Sequence, residues 1–296
     1  MAFYEEAWYH HALNATVHKL AEQTPSKMYS AVMVKEGVVG KTYPFPILGS
    51  IEMAPVTQQY MNPGFMPMAM TKRRVALKDF FVRVGVDDLD ELKMLPNLQA
   101  EKAQRMAGAR NRQLDRLIAA AAIGTATTVD ESGETTGSAS LPAGQIDNSA
   151  GAFTLKKVMD AKIKMDEANI PEEGRYIFVS PKSMGQLIDQ TKVGSGDYNT
   201  LRALQSGGFR SDEMYHGFIW RTTNLLTKVS NTRYNVAWQR DCIGLAVAKN
   251  GGVTVKDRPD LVNVTQVELV ISANAVRIED AGVVRIDSDE SVAITG

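Results

Sequence analysis

The chain has 296 residues, 44% of them hydrophobic and 23% charged, with a formal net charge of −1. This is an ordinary globular composition, enough for one large domain or two modest ones, and it excludes a global basic excess for nucleic acid, so any such contact must be local. A single cysteine, Cys242, excludes an intramolecular disulfide framework and a cysteine-cluster zinc site, and no run of about eighteen apolar residues predicts a membrane-spanning helix.

Residues 5–22 predict a short amphipathic helix closed by Pro25. The first residues carry acids where a signal peptide carries bases, so the chain is expected to stay in the cytoplasm where it is made. From Ser26 to Gln59, extended segments broken by Gly37, Gly40, Pro44, Pro46, Gly49 and Pro55 predict an arm that lies along another surface. Residues 53–70 hold Met53, Met61, Met66, Met68 and Met70 beside Pro55, Pro63 and Pro67. Methionine suits either a loop tucked under the core or a surface that repacks against a partner, and both readings stay open. The cluster Lys72-Arg73-Arg74 follows, then alternation of Phe80, Val82, Val84 and Val86 with Phe81, Arg83 and Gly85. Residues 50–86 thus predict a two-stranded projection with a Pro/Gly-rich tip, resting on another surface because an isolated hairpin is marginal in water.

Asp87-Asp88 and Asp90-Glu91 lead into the longest predicted helix, Asn97 to Gly124. Leu98, Ala103, Met106, Leu114, Leu117, Ile118 and Ala121 form its apolar stripe, Gly124 is its stop, and upstream acids suit its positive end. By itself this is the core helix of an α/β domain. Residues 125–151, rich in Gly, Ser and Thr, predict a flexible loop. Thr154 then caps a helix with Leu155, Val158, Met159 and Ile163 on its buried side, ending by Asn169 before Pro171. Tyr176–Val179 predicts a strand buried on both faces, followed by Ser180 as N-cap, Pro181 in the first turn, and Met184, Leu187 and Ile188 facing inward. Strands are predicted near 217–222, 235–238, 244–248, 253–255, 267–273, 276–278 and 283–286, giving an antiparallel return sheet.

No catalytic constellation emerges. His10, His11, His18 and His216 match no metalloprotease spacing, and His11 with His18 lacks acidic partners for a metal. Gly194-Ser195-Gly196 in the 193–209 loop lacks a third glycine at dinucleotide spacing. Cys242, within CIGLAVA, reads as a buried small hydrophobe, and Asp287, Asp289 and Glu290 read as a solvated edge. No cofactor is predicted.

The order of elements, with the helix end RLIAAAAIGTA, the segment ANIPEEGRYIFVSPKSMGQL, the strand piece IGLAVAK and the ending NAVRIEDAGVVRI, resembles the major capsid proteins of tailed bacteriophages. The resemblance covers roughly residues 45–295. It implies an α+β, Hong Kong 97-type fold: an N-terminal arm (1–49), an extended loop (50–86), a peripheral domain with a long spine helix (87–152), an axial domain (153–252) and return strands of the peripheral domain (253–296). It implies a structural shell protein, assembled with itself in hexamers and pentamers in the host cytoplasm and ending in the virion. A portal protein, possible decoration proteins and non-specifically contacted double-stranded DNA are the further implied partners. The type member's long N-terminal scaffolding segment has no counterpart here, which implies a separate scaffolding protein. Met61, Phe65, Met66, Met68, Lys72, Arg73 and Arg74 would make the extended-loop contact. On the spine, Lys102, Arg105, Arg110, Arg112 and Arg116 against Glu101 and Asp115 leave a surplus of +3, suited to DNA, a neighbour's acids or an internally paired solvated face. An encapsulin-type compartment and an unrecognised α/β enzyme such as a hydrolase are the rival readings.

Overall fold

The computed structural model describes residues 25–49, 70–86, 98–130, 132–194, 214–258 and 264–293, with positions 23, 51–53, 55, 65, 66 and 68. The helix expected at 5–22, Met61, the acids at 87–91, three of the four histidines and most of the 193–209 loop lie outside them. Strands β1 (Met33–Glu36), β2 (Thr42–Leu48), β3 (Met70–Ala76) and β4 (Lys78–Val86) precede helix α1 (Leu98–Ile123). Strands β5 (Ala126–Val129), β6 (Thr135–Ala139) and β7 (Ile146–Asp147) lead to α2 (Leu155–Glu167), β8 (Arg175–Val179) and α3 (Pro181–Gly194). The rest is strand: β9 (Met214–Tyr215), β10 (Phe218–Thr222), β11 (Lys228–Val229), β12 (Thr232–Gln239), β13 (Ile243–Asn250), β14 (Thr254–Arg258), β15 (Val264–Arg277) and β16 (Val283–Asp289).

The described strands form three sheets. In the first, β15 is the central strand: β13 and β14 pair along one side, β4 along the other, and β1 adds to β13 in parallel. Its inner face, Val267, Leu269, Ile271 and Ala273, packs against Met106, Leu114, Leu117, Ile118 and Ala122 of α1. Met106, Leu114, Leu117 and Ile118 of the predicted stripe are buried, Ala103 and Ala121 are half-buried, and Gly124 ends the helix as expected: its N–H still bonds Ala120 O at 2.9 Å. A Cβ there would lie 2.7 Å from that same oxygen.

The second sheet runs β7-β16-β12-β8-β10-β9, and β8 is buried on both faces as predicted. Phe178 stacks on Trp238 at 4.4 Å in the α1 core, while Ile177 and Val179 face α2 and α3. Thr154 Oγ1 accepts from Lys157 N at 3.3 Å, and Ser180 Oγ accepts from Ser183 N at 3.1 Å, so both predicted caps form. The buried side of α2 keeps Leu155 and Val158 of the expected set but not Met159 and Ile163. Val158, Ala161 and Met165 line it, while Met159 and Ile163 are exposed. Lys157 goes inside because its ammonium donates to Ser149 O (2.8 Å) and Asp287 O (2.7 Å), which satisfies the buried charge.

The third sheet, β2-β3-β5-β6, corrects two expectations. The outgoing strand of the projection is β2, not a segment after residue 50, and β4 belongs to the first sheet instead. Residues 125–151 are also not a flexible loop. The β-branched run Thr127-Thr128-Val129 pairs with β3 and β6 around a turn in which Asp130 accepts from Ser132 Oγ (2.7 Å) and Glu134 N (2.9 Å). Small polar residues hid a hairpin that is stable because a neighbouring strand is present.

Three further expectations are corrected by long-range packing and pairing. Met28, Ala31 and Val32 are 0–1% exposed and β1 joins the first sheet, so Met28–Val32 is core and not arm. β13 lies in the first sheet and β16 in the second, so the sheets do not divide at residue 252. Asp287 and Glu290 are buried, and Glu290 is held by Arg233 (2.9 Å), Lys228 (2.8 Å) and Ser180 Oγ (2.8 Å). Burial favours its neutral form, but those hydrogen bonds outweigh it and bring the carboxyl down to about 2.

Candidate subunit interface

The β2–β3 hairpin runs in register from Thr42↔Ala76 to Leu48↔Met70, with Pro44 and Pro46 in an edge strand, the part of a sheet that tolerates missing donors. Its base is buried. Phe45 and Val75 pack with Val38, Ala126, Ala246, Val276 and Ile278, and the Phe45 ring lies where a Cβ on Gly244 would be, 2.7–2.9 Å away. Its far end is uncovered. Leu48, Ile51, Met66, Met68 and Met70 are exposed, while Met53 (98%) and Phe65 (107%) are as open as in an isolated chain. Scattered exposed apolar residues are normal on a soluble surface, but here seven lie on one projection.

The predicted basic residues divide. Arg73 is buried and ion-paired with Asp280 of the same chain at 2.9 Å. Arg74 reaches the β5–β6 turn through Thr135 Oγ1 (2.5 Å) and Gly133 O (3.4 Å), and Lys72 is half-buried. Phe65, Met66 and Met68 therefore remain available to a neighbour, whereas Arg73 and Arg74 are occupied within the subunit. Alternation in β3 decides this: Arg73 shares the inward face with Val75.

On α1 the expected charged face is partly internal. Asp115 has no solvent exposure and accepts from Gln23 Nε2 (2.8 Å), Ser26 Oγ (2.5 Å), Lys27 N (3.1 Å) and Met28 N (3.1 Å). Arg112 donates to Gln23 O at 3.0 Å and Arg110 to Asn111 Oδ1 at 3.3 Å. Arg105 is half-buried, and Arg116 is the exposed member of the four. Sequence reasoning missed Asp115, Arg277 and Asp280. A lone acid on a basic helix and an arginine in the apolar ending NAVRI were the available signals.

Cys242 is buried as predicted, and desolvation, with Glu279 and Asp241 nearby, pushes its thiol up to about 12. Among the described residues no group of three or more His, Cys, Asp or Glu could hold a metal ion, and no described helix is long and apolar enough to cross a membrane.

Among the described residues, a packed body braced by one long helix carries a hairpin whose far end is apolar and exposed. The family model for phage capsid proteins matches residues 6–290, and the chain belongs to that family. No curated protein sequence matches it. Solved structures share its fold. The capsid of Ralstonia phage GP4 aligns with a TM-score of 0.70 at 14% identity, covering 94% of this chain and 95% of that one. The capsid of cyanophage P-SCSP1u gives 0.69 at 14% identity over 92% and 90%, and the head of Helicobacter pylori bacteriophage KHP40 gives 0.67 at 10% over 94% of each. The fold is the Hong Kong 97 type, and the protein is a structural component of a phage capsid.

Proposed function

We propose that this chain is the repeating unit of a closed icosahedral head, and that the β2–β3 hairpin makes the contact between copies by laying its apolar end on a neighbouring subunit. The exposed set Leu48, Ile51, Met53, Phe65, Met66, Met68 and Met70 carries this reading. Its burial supplies a driving force at roughly 25 cal/mol per Å² of apolar surface. In this reading hexamers and pentamers form in the host cytoplasm with a separate scaffolding protein. A portal protein occupies one vertex, decoration proteins bind outside, and double-stranded DNA is enclosed without sequence preference. The second-sheet body with α2 and α3 then forms the axial unit, and the first-sheet body with α1 forms the peripheral one. A DNA-facing role on the spine falls to Arg116, because it is the exposed one of the four arginines while Arg105, Arg110 and Arg112 are half-buried.

Negative-stain microscopy of the chain, expressed with and without its scaffold, tests the shell: particles tens of nanometres across are expected, and persistent monomers or dimers under every condition overturn it. For the contact, Phe65→Asp with Met66→Asp is expected to leave a folded subunit by circular dichroism and no closed particles. Normal particles from that double variant would remove the hairpin from the interface.

A further inference from the structure

Arg277 and Arg73 approach one carboxylate from opposite parts of the subunit. Arg277, on β15, has no solvent exposure and a fully engaged guanidinium. Nε donates to Asp280 Oδ1 (2.5 Å), Nη1 to Gly124 O (2.6 Å) and Ala122 O (3.3 Å), and Nη2 to Ala139 O (2.9 Å). It thereby closes the C-terminal end of the spine helix, holds the β5–β6 hairpin and fixes Asp280. The other oxygen, Oδ2, takes Arg73 Nη2 at 2.9 Å. Arg73 comes from β3, the returning strand of the projecting hairpin. Its Nε and Nη1 are buried with no hydrogen-bond partner among the described residues.

We propose that the Arg73–Asp280 ion pair is a latch that sets the angle of the β2–β3 hairpin against the subunit body, with Asp280 the fixed half and Arg73 the releasable half. The asymmetry is the argument. A buried guanidinium with one of its three nitrogens partnered leaves desolvated donors uncompensated, so exchanging this pair for water costs little net free energy. Breaking Arg277 free would orphan three carbonyls at once. Phe45 rests on Gly244 in a small cluster of its own, with Val75, Ala126, Ala246, Val276 and Ile278, separate from the two larger cores. A closed shell that places one chain at five-fold and six-fold positions needs the same hairpin at more than one angle, and the latch is the joint that allows it. This role rests on the reading of the hairpin as the contact between copies.

Arg73→Met tests it, since the variant keeps the aliphatic stem and removes the charge. Hydrogen exchange on the unassembled subunit is expected to quicken about tenfold in residues 42–48 and 70–76 and to stay unchanged in 283–289. Assembled shells are expected to lose their uniform diameter. Unchanged exchange, an equal rise across all three segments, or shells of wild-type uniformity would overturn the latch. If Arg73→Met does not fold, Arg73→Lys carries the test, with exchange between wild type and about tenfold expected. Failure of both to fold makes Arg73 a core residue and also ends the proposal. The exchange readout needs no assembly, so it separates failure of the latch from failure of the interface, which the Phe65/Met66 variant reads.

Discussion

At Asp115 a carboxylate with no solvent exposure gathers four donors from residues 23–28. That segment is also tied to the second sheet, through Lys27 Nζ on Thr222 O (2.6 Å) and Arg221 Nη1 on Lys27 O (2.6 Å), so one acid on the spine holds a strap between two cores. Asp115→Ala is expected to lower unfolding free energy by about 3 kcal/mol, read by urea titration, because two backbone N–H groups and two side chains lose a charged acceptor. Glu290 gives a pH dependence. Its folded pKa, about 2, lies below the ordinary 4.5, so its contribution is fully present above about 4.5 and is lost as pH falls through 2. The shift corresponds to roughly 3 kcal/mol, and Glu290→Gln should flatten the acid limb of a stability–pH curve over that window. An equally steep limb in the variant would place the acid sensitivity in another group.

At the scale of elements, the hairpin is half core and half surface. Phe45→Ala is expected to cost about 3 kcal/mol and to loosen β2 and β3 before the rest of the subunit, visible as selective hydrogen exchange. Gly244→Val should act at the same place from the other side, since even a Cβ on Gly244 would overlap the Phe45 ring at 2.7–2.9 Å. If either variant destabilised β12 and β16 as much as β2, the third cluster would not be a separate seat for the hairpin. The β5–β6 hairpin owes its order to β3, and α2 turns Lys157 inward because two carbonyls await it. Local sequence reports propensity, and in both elements a distant partner outweighed it.

For the whole molecule, the proposed contact through methionine, leucine, isoleucine and phenylalanine predicts how assembly responds to conditions. Apolar burial weakens on cooling and is insensitive to screening. Particle formation followed by light scattering is therefore expected to be weaker at about 4 °C than at about 25 °C and to survive about 0.5 M salt. Collapse of assembly in salt would instead identify ion pairs as the principal contact between copies.

The sequence by itself determined the long helix and its stripe, both helix caps and the doubly buried strand RYIFV. These features depend on periodicity and on residues within a few positions of one another. The Met-rich composition of residues 53–70 was legible too, but whether it lay under the core or on the surface was not, and the exposure of Met53, Phe65, Met66, Met68 and Met70 came from the tertiary structure. Tertiary structure alone decided that Met28–Val32 is core, that β16 lies between β7 and β12 in the second sheet, and that Arg73 meets Asp280 across 207 positions. It also decided that Asp115 is buried. In each case the environment of a residue is set by a partner far away in sequence, and a charge is written identically whether it faces water or another charge.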